Sequence, residues 1–356
     1  MCIQVNLGGE ATKSGAPPEA VPDLARELLA EGVRRVAITT EDPSRYAGVA
    51  LPEGVRVHHR DDIEQVMADL ASVPGTTALL NDQECATELR RKRRRGLVEA
   101  PSRRVFINER VCEGCGDCGA KSNCLSVSPV ETEFGRKTQI HQASCNQDFS
   151  CLAGDCPSFL DVLPGSGRRR GAATELVPTD LPEPPVRHLD APIGLRLMGI
   201  GGTGIVTTAQ VLAVAATNAG LHVRGLDQLG LSQKGGAVIS DLRIGADPFD
   251  GSNVLGPAGA DVYLGADLLV ATADSNLAVT DPARTWAAVS SSRTPTGAMV
   301  ADVNVAFPQV DPLIAALGRR TRPESVFVDL RSVTTALFGS DQLANTFLLG
   351  IATQAG

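Results

Sequence analysis

The chain has 356 residues, enough for two or three domains, and 43% of them are hydrophobic, enough for ordinary cores. Aromatics are only 3%, so those cores must rest on Ala, Val, Leu and Ile. A net charge of −8 argues against a general nucleic-acid binder, and no apolar run is long enough to span a bilayer.

The N-terminus, MCIQVNLGGEATKSG, lacks the form of a signal peptide. Together with thiolate-rich spacing further on, this points to a reducing cytoplasm. Residues 1–100 read as an α/β segment. A helical pattern runs through Val21–Ala30, and Val33–Thr40 is an apolar, β-branched run that reads as a buried strand. Val55–His58 is a short strand, Asp61–Ser72 has helical spacing at Ile63, Val66, Met67 and Leu70, and Thr76–Leu80 is strand-like after Pro74-Gly75. The pair His58-His59 beside Asp61-Asp62 makes a poor chelate, because neighbours on a strand point to opposite faces. Cys2 and Cys85 read as small buried hydrophobes. The basic run Arg90–Arg95 reads as a solvated helix end at a domain boundary, with a docking role against acidic surface as an addition.

Arg104–Ile107 opens the most informative stretch as a strand. Seven of the nine cysteines lie between 112 and 156. Cys112, Cys115 and Cys118 follow a C-x2-C-x2-C spacing, with Cys124 next, which is the front half of a ferredoxin-type pattern. In the back half Cys145 and Cys151 are spaced as first and third ligands, Asp148 stands at the middle position, and Cys156 precedes Pro157. The spacing suggests an all-cysteine site from Cys112, Cys115, Cys118 and Cys156. A second site would use Cys124, Cys145, Cys151 and Asp148, and either a 4Fe–4S cluster with one labile iron or a 3Fe–4S cluster fits it. A carboxylate is the harder and weaker partner for iron, so Asp148 as bystander stays open. A single cluster with the other three cysteines buried also remains. Zinc shares the C-x2-C spacing but does not account for a three-cysteine run plus Cys-Pro, and disulfides do not suit a reducing compartment.

Residues 164–190 form a linker dense in proline and glycine. Residues 191–356 begin a second α/β domain. Strand Ile193–Met198 runs into Gly199-x-Gly201-Gly202-x-Gly204 and then a small-residue helix, Ile205–Ala219. This fits G-x-G-x-x-G, where a helix N-terminus offers amides to an anion. His222–Leu226 is the next strand, and Asp227, which follows it 23 residues past Gly204, would suit a ribose in a dinucleotide site. The loop Ser232–Gly236 precedes strand Val238–Ile244, and further strands are expected at Asp267–Thr272, Ala298–Val305 and Ser325–Asp329. Thr334–Ala352 has one helical pattern.

The stretch VCEGCGDCGAKSNCLSVSPVETEFGRKTQIHQASCNQDFSCLAGDCPSF resembles the ferredoxin segment of the long-chain indolepyruvate:ferredoxin oxidoreductases. These belong to the thiamine-dependent 2-oxoacid:ferredoxin oxidoreductases. GIGGTGIVTTAQVLA with GLSQKGGAVISDLRI resembles that superfamily's γ segment, and residues 31–100 resemble the piece between the thiamine-binding domain and the ferredoxin segment. The resemblance implies a multidomain α/β chain, with a small α+β ferredoxin-like iron–sulfur domain at 101–163 between two α/β domains. It implies 4Fe–4S clusters, and oxidative decarboxylation of an aryl-2-oxoacid with CoA. Ferredoxin would be the electron acceptor, and the assembly an oligomer. Thiamine diphosphate and Mg²⁺ would reside on partner domains, because the family's Gly-Asp-Gly motif has no counterpart here. The chain is then the central portion of a longer enzyme or one piece of a split one. The rivals are an NAD(P)-linked iron–sulfur oxidoreductase using the glycine loop, and a non-catalytic electron-transfer subunit.

Overall fold

The computed structural model describes residues 2–4, 18–154, 156–163, 165, 181–185, 189–229 and 236–355. Most of the proposed linker and residues 232–235 of the second glycine loop lie outside them. The fold is mixed α/β, in two compact units: residues 1–102 with 146–148, and residues 103–145 with 149–356.

The first unit holds β1 (Cys2–Gln4), α1 (Val21–Ala30), β2 (Arg35–Thr40), β3 (Arg56–His59), α2 (Ile63–Ala71), β4 (Thr77–Asp82) and α3 (Ala86–Arg94). The strands form one parallel sheet in the order β1-β4-β2-β3. Strand alternation explains how it is covered. Val36, Ile38, Ala78 and Leu80 pack with Val21 and Ala25 of α1, while Ala37 and Leu79 pack with Val66 and Leu70 of α2. A strand buried on both faces reads as a continuous apolar run, which is why β2 was legible. His59 Nδ1 accepts from the Asp61 amide at a solvated strand end. The basic run lies on α3, where Lys92 pairs with Glu84 (2.6 Å) and Arg93 Nη1 donates to the carbonyls of Asn146 (2.9 Å) and Gln147 (3.4 Å).

In the second unit the cysteine segment forms β5 (Arg104–Ile107), α4 (Asp117–Ser122), the hairpin β6 (Val127–Thr132) and β7 (Gly135–Ile140), a 3-10 turn (Ser150–Ala153) and β8 (Phe159–Val162). β5 pairs antiparallel with β8, and β6 with β7. The same unit continues with β9 (Ile193–Ile200), α5 (Ile205–Asn218), β10 (His222–Leu229), β11 (Ala237–Gly245), β12 (Val262–Gly265), α6 (Leu268–Ala271), α7 (Asp274–Leu277), β13 (Trp286–Ser290), α8 (Gly297–Ala301), α9 (Val310–Gly318), β14 (Val326–Val328), α10 (Leu330–Phe338) and α11 (Ala344–Ala355). Six strands order β10-β11-β9-β12-β13-β14. β9, β12, β13 and β14 are parallel, and β11 runs antiparallel to both β9 and β10. One core lies on the α5, α10 and α11 side and a second on the α6 and α9 side.

Three expectations need correction. Asp267–Thr272 is not a strand: Asp267 Oδ1 accepts from the Val270 amide and caps α6, while the strand is β12 just before it. Ala298–Val305 is not a strand either, because Thr296 Oγ1 caps α8 by accepting from the Met299 amide. Thr334–Ala352 is two helices, broken where Gly339 takes a left-handed φ of 69°.

Candidate metal centre

Cys112 follows β5 on a turn closed by Asn108, whose carbonyl accepts from the amides of Val111 (3.0 Å) and Cys112 (2.9 Å). Asn108 itself donates its amide to Ser158 O (2.8 Å), which ties this turn to the entry of β8. The Gly114 amide then points back at Cys112 Sγ (3.4 Å). Cys115 is exposed on the loop, and Cys118 sits in the first turn of α4. Asn123 ends α4 in the left-handed conformation (φ 45°), a position where Asn is tolerated, and so delivers Cys124. The Cys145 amide donates to His141 O, Cys151 is buried in the 3-10 turn, and Cys156 Sγ lies 3.0 Å from Ser158 Oγ.

Four of the seven predicted cysteines, Cys118, Cys124, Cys145 and Cys151, share one core with Val105, Val127 and Ile140. α4 packs directly on the 3-10 turn that carries Cys151. Cys112, Cys115, Cys118, Cys124 and Cys156 carry free thiols. Burial pushes the Cys118 thiol up, and negative charge on Cys112 and Cys115 adds to this, so the three members of the first run are electrostatic neighbours. Such soft donors on a short loop suit iron and sulfide. Among the described residues, no three His, Cys, Asp or Glu side chains converge on a single-ion site.

Asp148 belongs with the first unit, whereas Cys145 and Cys151 belong with the second. It is flanked by two left-handed non-glycine residues, Gln147 (φ 59°) and Phe149 (φ 58°). Backbone of this kind costs on the order of 1–3 kcal/mol per residue and persists only where surroundings impose it. Arg93, gripping the carbonyls of 146 and 147, is one such constraint. Arg103 stacks 4.4 Å from the Phe149 ring centre.

The glycine loop follows β9 as expected. Gly204 (φ 96°) caps α5, and a Cβ on Gly199 would meet Ile205 at 2.9 Å, so this glycine serves helix-on-strand packing. The Gly201 amide donates to Gly236 O (2.8 Å), Gly202 is exposed, and Asn345 Nδ2 donates to Thr203 O (2.6 Å). A dinucleotide fold places its acidic residue on the strand beside the glycine loop. Here antiparallel β11 takes that place. Asp227, one strand further out, accepts from Ser240 Oγ (2.6 Å).

Sequence reasoning missed Arg136, His141, Arg331 and Asp341. Arg136 of β7 donates to Val303 O (2.6 Å), Val305 O (3.0 Å) and Met299 O. Asp341 Oδ2 meets Arg331 Nη2 (2.6 Å) and His141 Nε2 (3.1 Å), while His141 Nδ1 lies 2.8 Å from Ser144 Oγ. The hydrogen bond from His141, with Arg331 adding to it, holds the Asp341 carboxyl well below the usual carboxylate range. Arg136 and its acceptors are 163–169 residues apart and His141 and Asp341 are 200 apart, so no local signal marks these pairings, although Arg331 and Asp341 are only 10 apart.

Residues 194–356 match the family Pyruvate ferredoxin/flavodoxin oxidoreductase. Among characterised proteins, the chain is 40% identical over 53 residues to indolepyruvate oxidoreductase subunit IorB of Archaeoglobus fulgidus, covering 15% of this chain and 26% of that one. It is 42% identical over 69 residues to IorB of Thermococcus kodakarensis, covering 19% and 33%. The chain thus spans about a quarter to a third of these relatives. A solved structure, pyruvate oxidoreductase subunit PORC of Thermotoga maritima, is similar over 45% of this chain and 74% of its own, at 18% identity and a TM-score of 0.31. Residues 194–356 therefore carry a pyruvate ferredoxin/flavodoxin oxidoreductase domain, and the chain resembles a 2-oxoacid:ferredoxin oxidoreductase subunit of the IorB kind.

Proposed function

We propose that this chain is the electron-carrying portion of an indolepyruvate, or related aryl-2-oxoacid, ferredoxin oxidoreductase. The observation that carries the reading is the folding of seven closely spaced cysteines into a strand–helix–hairpin–turn–strand unit beside a domain of the matching family. In this proposal residues 101–163 are a ferredoxin-like iron–sulfur domain and residues 191–356 the γ-type domain. Cys112, Cys115, Cys118 and Cys156 would hold one 4Fe–4S cluster. Cys124, Cys145 and Cys151, with Asp148 as the fourth candidate, would hold a second cluster of 4Fe–4S or 3Fe–4S type. When bound, clusters of this kind would supply one-electron redox chemistry, and the two electrons would come from the 2-oxoacid decarboxylated on thiamine-binding partner domains.

The chain's own residues position and insulate. Cys151 is buried, and Cys118, Cys124 and Cys145 are half-buried against the same core, which shields one side of the proposed site from water, and the Gly114 amide is aimed at a ligand sulfur. The Gly199–Gly204 loop, at the α5 N-terminus, would face an anionic substrate group. The overall reaction is 2-oxoacid anion plus CoA giving acyl-CoA, CO₂ and one proton, with two electrons passed singly to external ferredoxin, in the cytoplasm.

The test is reconstitution. Indolepyruvate- and CoA-dependent reduction of ferredoxin should require both this chain and a thiamine-binding partner. Turnover by this chain alone would refute the division of labour, and turnover by the partner without it would refute the electron-carrying role.

A further inference from the structure

The first cysteine run does not stand free of the C-terminal domain. Arg136, on β7 next to the loop, sends its guanidinium to three carbonyls at the end of α8 and just beyond it: Met299, Val303 and Val305. A cation at a helix C-terminus is favourable, and the planar fork holds its donors in a fixed, spread geometry that reaches separate acceptors, where a lysine's three donors radiate from one nitrogen. The contact brings Val300 and Val303 onto the loop so closely that side chains are excluded. A Cβ on Gly116 would lie 2.5 Å from Val303 Cγ1, and one on Gly119 would lie 2.5 Å from Val300 O. Gly116 adjoins Cys115, and Gly119 adjoins Cys118. What remains between hairpin, loop and α8 is a void of about 10 Å³, lined by Gly116, Pro129, Arg136, Met299, Val300 and Val303. That is room for about one water.

We infer that Arg136 is a positioning residue that seats the Cys112–Cys118 loop on the α8–Val305 segment, making Val300 and Val303 the cover that keeps water from that side of the first cluster. This rests on the proposed cluster function and adds to it a cover. The all-cysteine site packs on the α8–Val305 segment of the C-terminal domain, and its potential is set in part by that cover. Solvent exposure and nearby charge both tune such potentials. Water favours the more negative, reduced state, so lifting the cover raises the midpoint, whereas removing the arginine charge lowers it. Arg136→Lys keeps the charge and loses the fork. Gly119→Ala leaves every charge in place and drives a methyl against Val300 O.

The experiment uses the full chain, prepared without oxygen and loaded with iron and sulfide. Hydrogen exchange over residues 297–305 reports the seat, and a redox titration followed by EPR reports the clusters. In both variants exchange should quicken at least tenfold, iron content should stay at the wild-type value, and the midpoint of one signal should rise while the other stays. Val303→Ala, which removes cover without altering the loop, should raise the same midpoint and guards against a variant that folds poorly. Unchanged exchange, or faster exchange with both midpoints unmoved, would overturn the inference alone. Protein that binds no iron would overturn the cluster function and the inference together.

Discussion

Arg196 and Asp241 face each other across β9 and β11 in the middle of the six-stranded sheet, 4% and 0% exposed. The pair is bidentate, Nε to Oδ1 and Nη2 to Oδ2, both at 2.7 Å. Asp241 Oδ2 also accepts from the Leu255 amide (3.0 Å), and Arg196 Nη1 reaches Asn276 Oδ1 (3.5 Å). β9 feeds straight into the Gly199–Gly204 loop, so this pair fixes the register of the strand that presents it. Asp241→Ala would leave the guanidinium buried without its counter-ion. Breaking a buried pair in this way costs about 3–5 kcal/mol, and the stranded Leu255 amide falls within that range rather than adding to it. At roughly 2–4 °C per kcal/mol for a unit of this size, the melting temperature should fall by about 6–20 °C. The double variant Arg196→Met with Asp241→Leu removes both charges at similar volume and should recover most of that loss, since such replacements are often neutral or stabilising. Urea melts of wild type, Arg196→Met, Asp241→Leu and the double variant give the coupling directly. A single-variant loss below about 1 kcal/mol, or a double variant as unstable as the sum of the singles, would refute the view of a buried, mutually dependent pair.

Other outcomes follow from the same structure. Asp341 has a carboxyl depressed by His141 and Arg331, so its ionisation contributes stability present above about pH 4 and lost as pH falls below that. The wild type should therefore out-melt Asp341→Asn by its full margin at pH 7, the gap should begin to narrow only below about pH 4 and still be substantial at pH 3, and a gap that stays constant through this range and below it would contradict this. Cys118→Ala should lower iron by about four per chain, while Cys85→Ala, outside the cysteine run, should leave iron unchanged. Arg93→Ala removes the donor held by the Asn146 and Gln147 carbonyls. Proteolysis around residues 146–149 should then speed up by at least about tenfold, as loss of a charged hydrogen bond of about 1.5–3 kcal/mol implies. Asp148→Ala should alter the EPR signal of one cluster only; identical spectra would remove Asp148 from the ligand set.

What could be read from sequence was what local physics decides. α1 was legible residue for residue because Val21, Ala25 and their neighbours repeat at helical spacing. β2 was legible because both its faces are covered. The failures share a cause. Asp267–Thr272 and Ala298–Val305 are short apolar runs that periodicity cannot assign, and what decides them is a cap, Asp267 or Thr296, rather than the run itself. β13, WAAVS, is too rich in alanine to announce a strand, and it forms because β12 and β14 flank it. The hairpin β6–β7 is mostly polar and carries Pro129, so it shows no apolar alternation, although Gly135 with φ 87° marks its turn. The cysteine spacing displayed the donor set, but nothing near Arg136 in sequence announces three carbonyls more than 160 residues away. Asp227 met the ribose spacing and failed on topology, because spacing along the chain does not say which strand becomes the neighbour.

The central claim is that the thiols between 112 and 156 bind inorganic iron and sulfide. Iron and acid-labile sulfide should be counted on oxygen-free protein, with low-temperature EPR after reduction. About eight irons per chain, with matching sulfide and two paramagnetic signals, is the predicted result, and about four would restrict the account to one cluster. Colourless protein with stoichiometric zinc, or with these cysteines joined as disulfides, would contradict it.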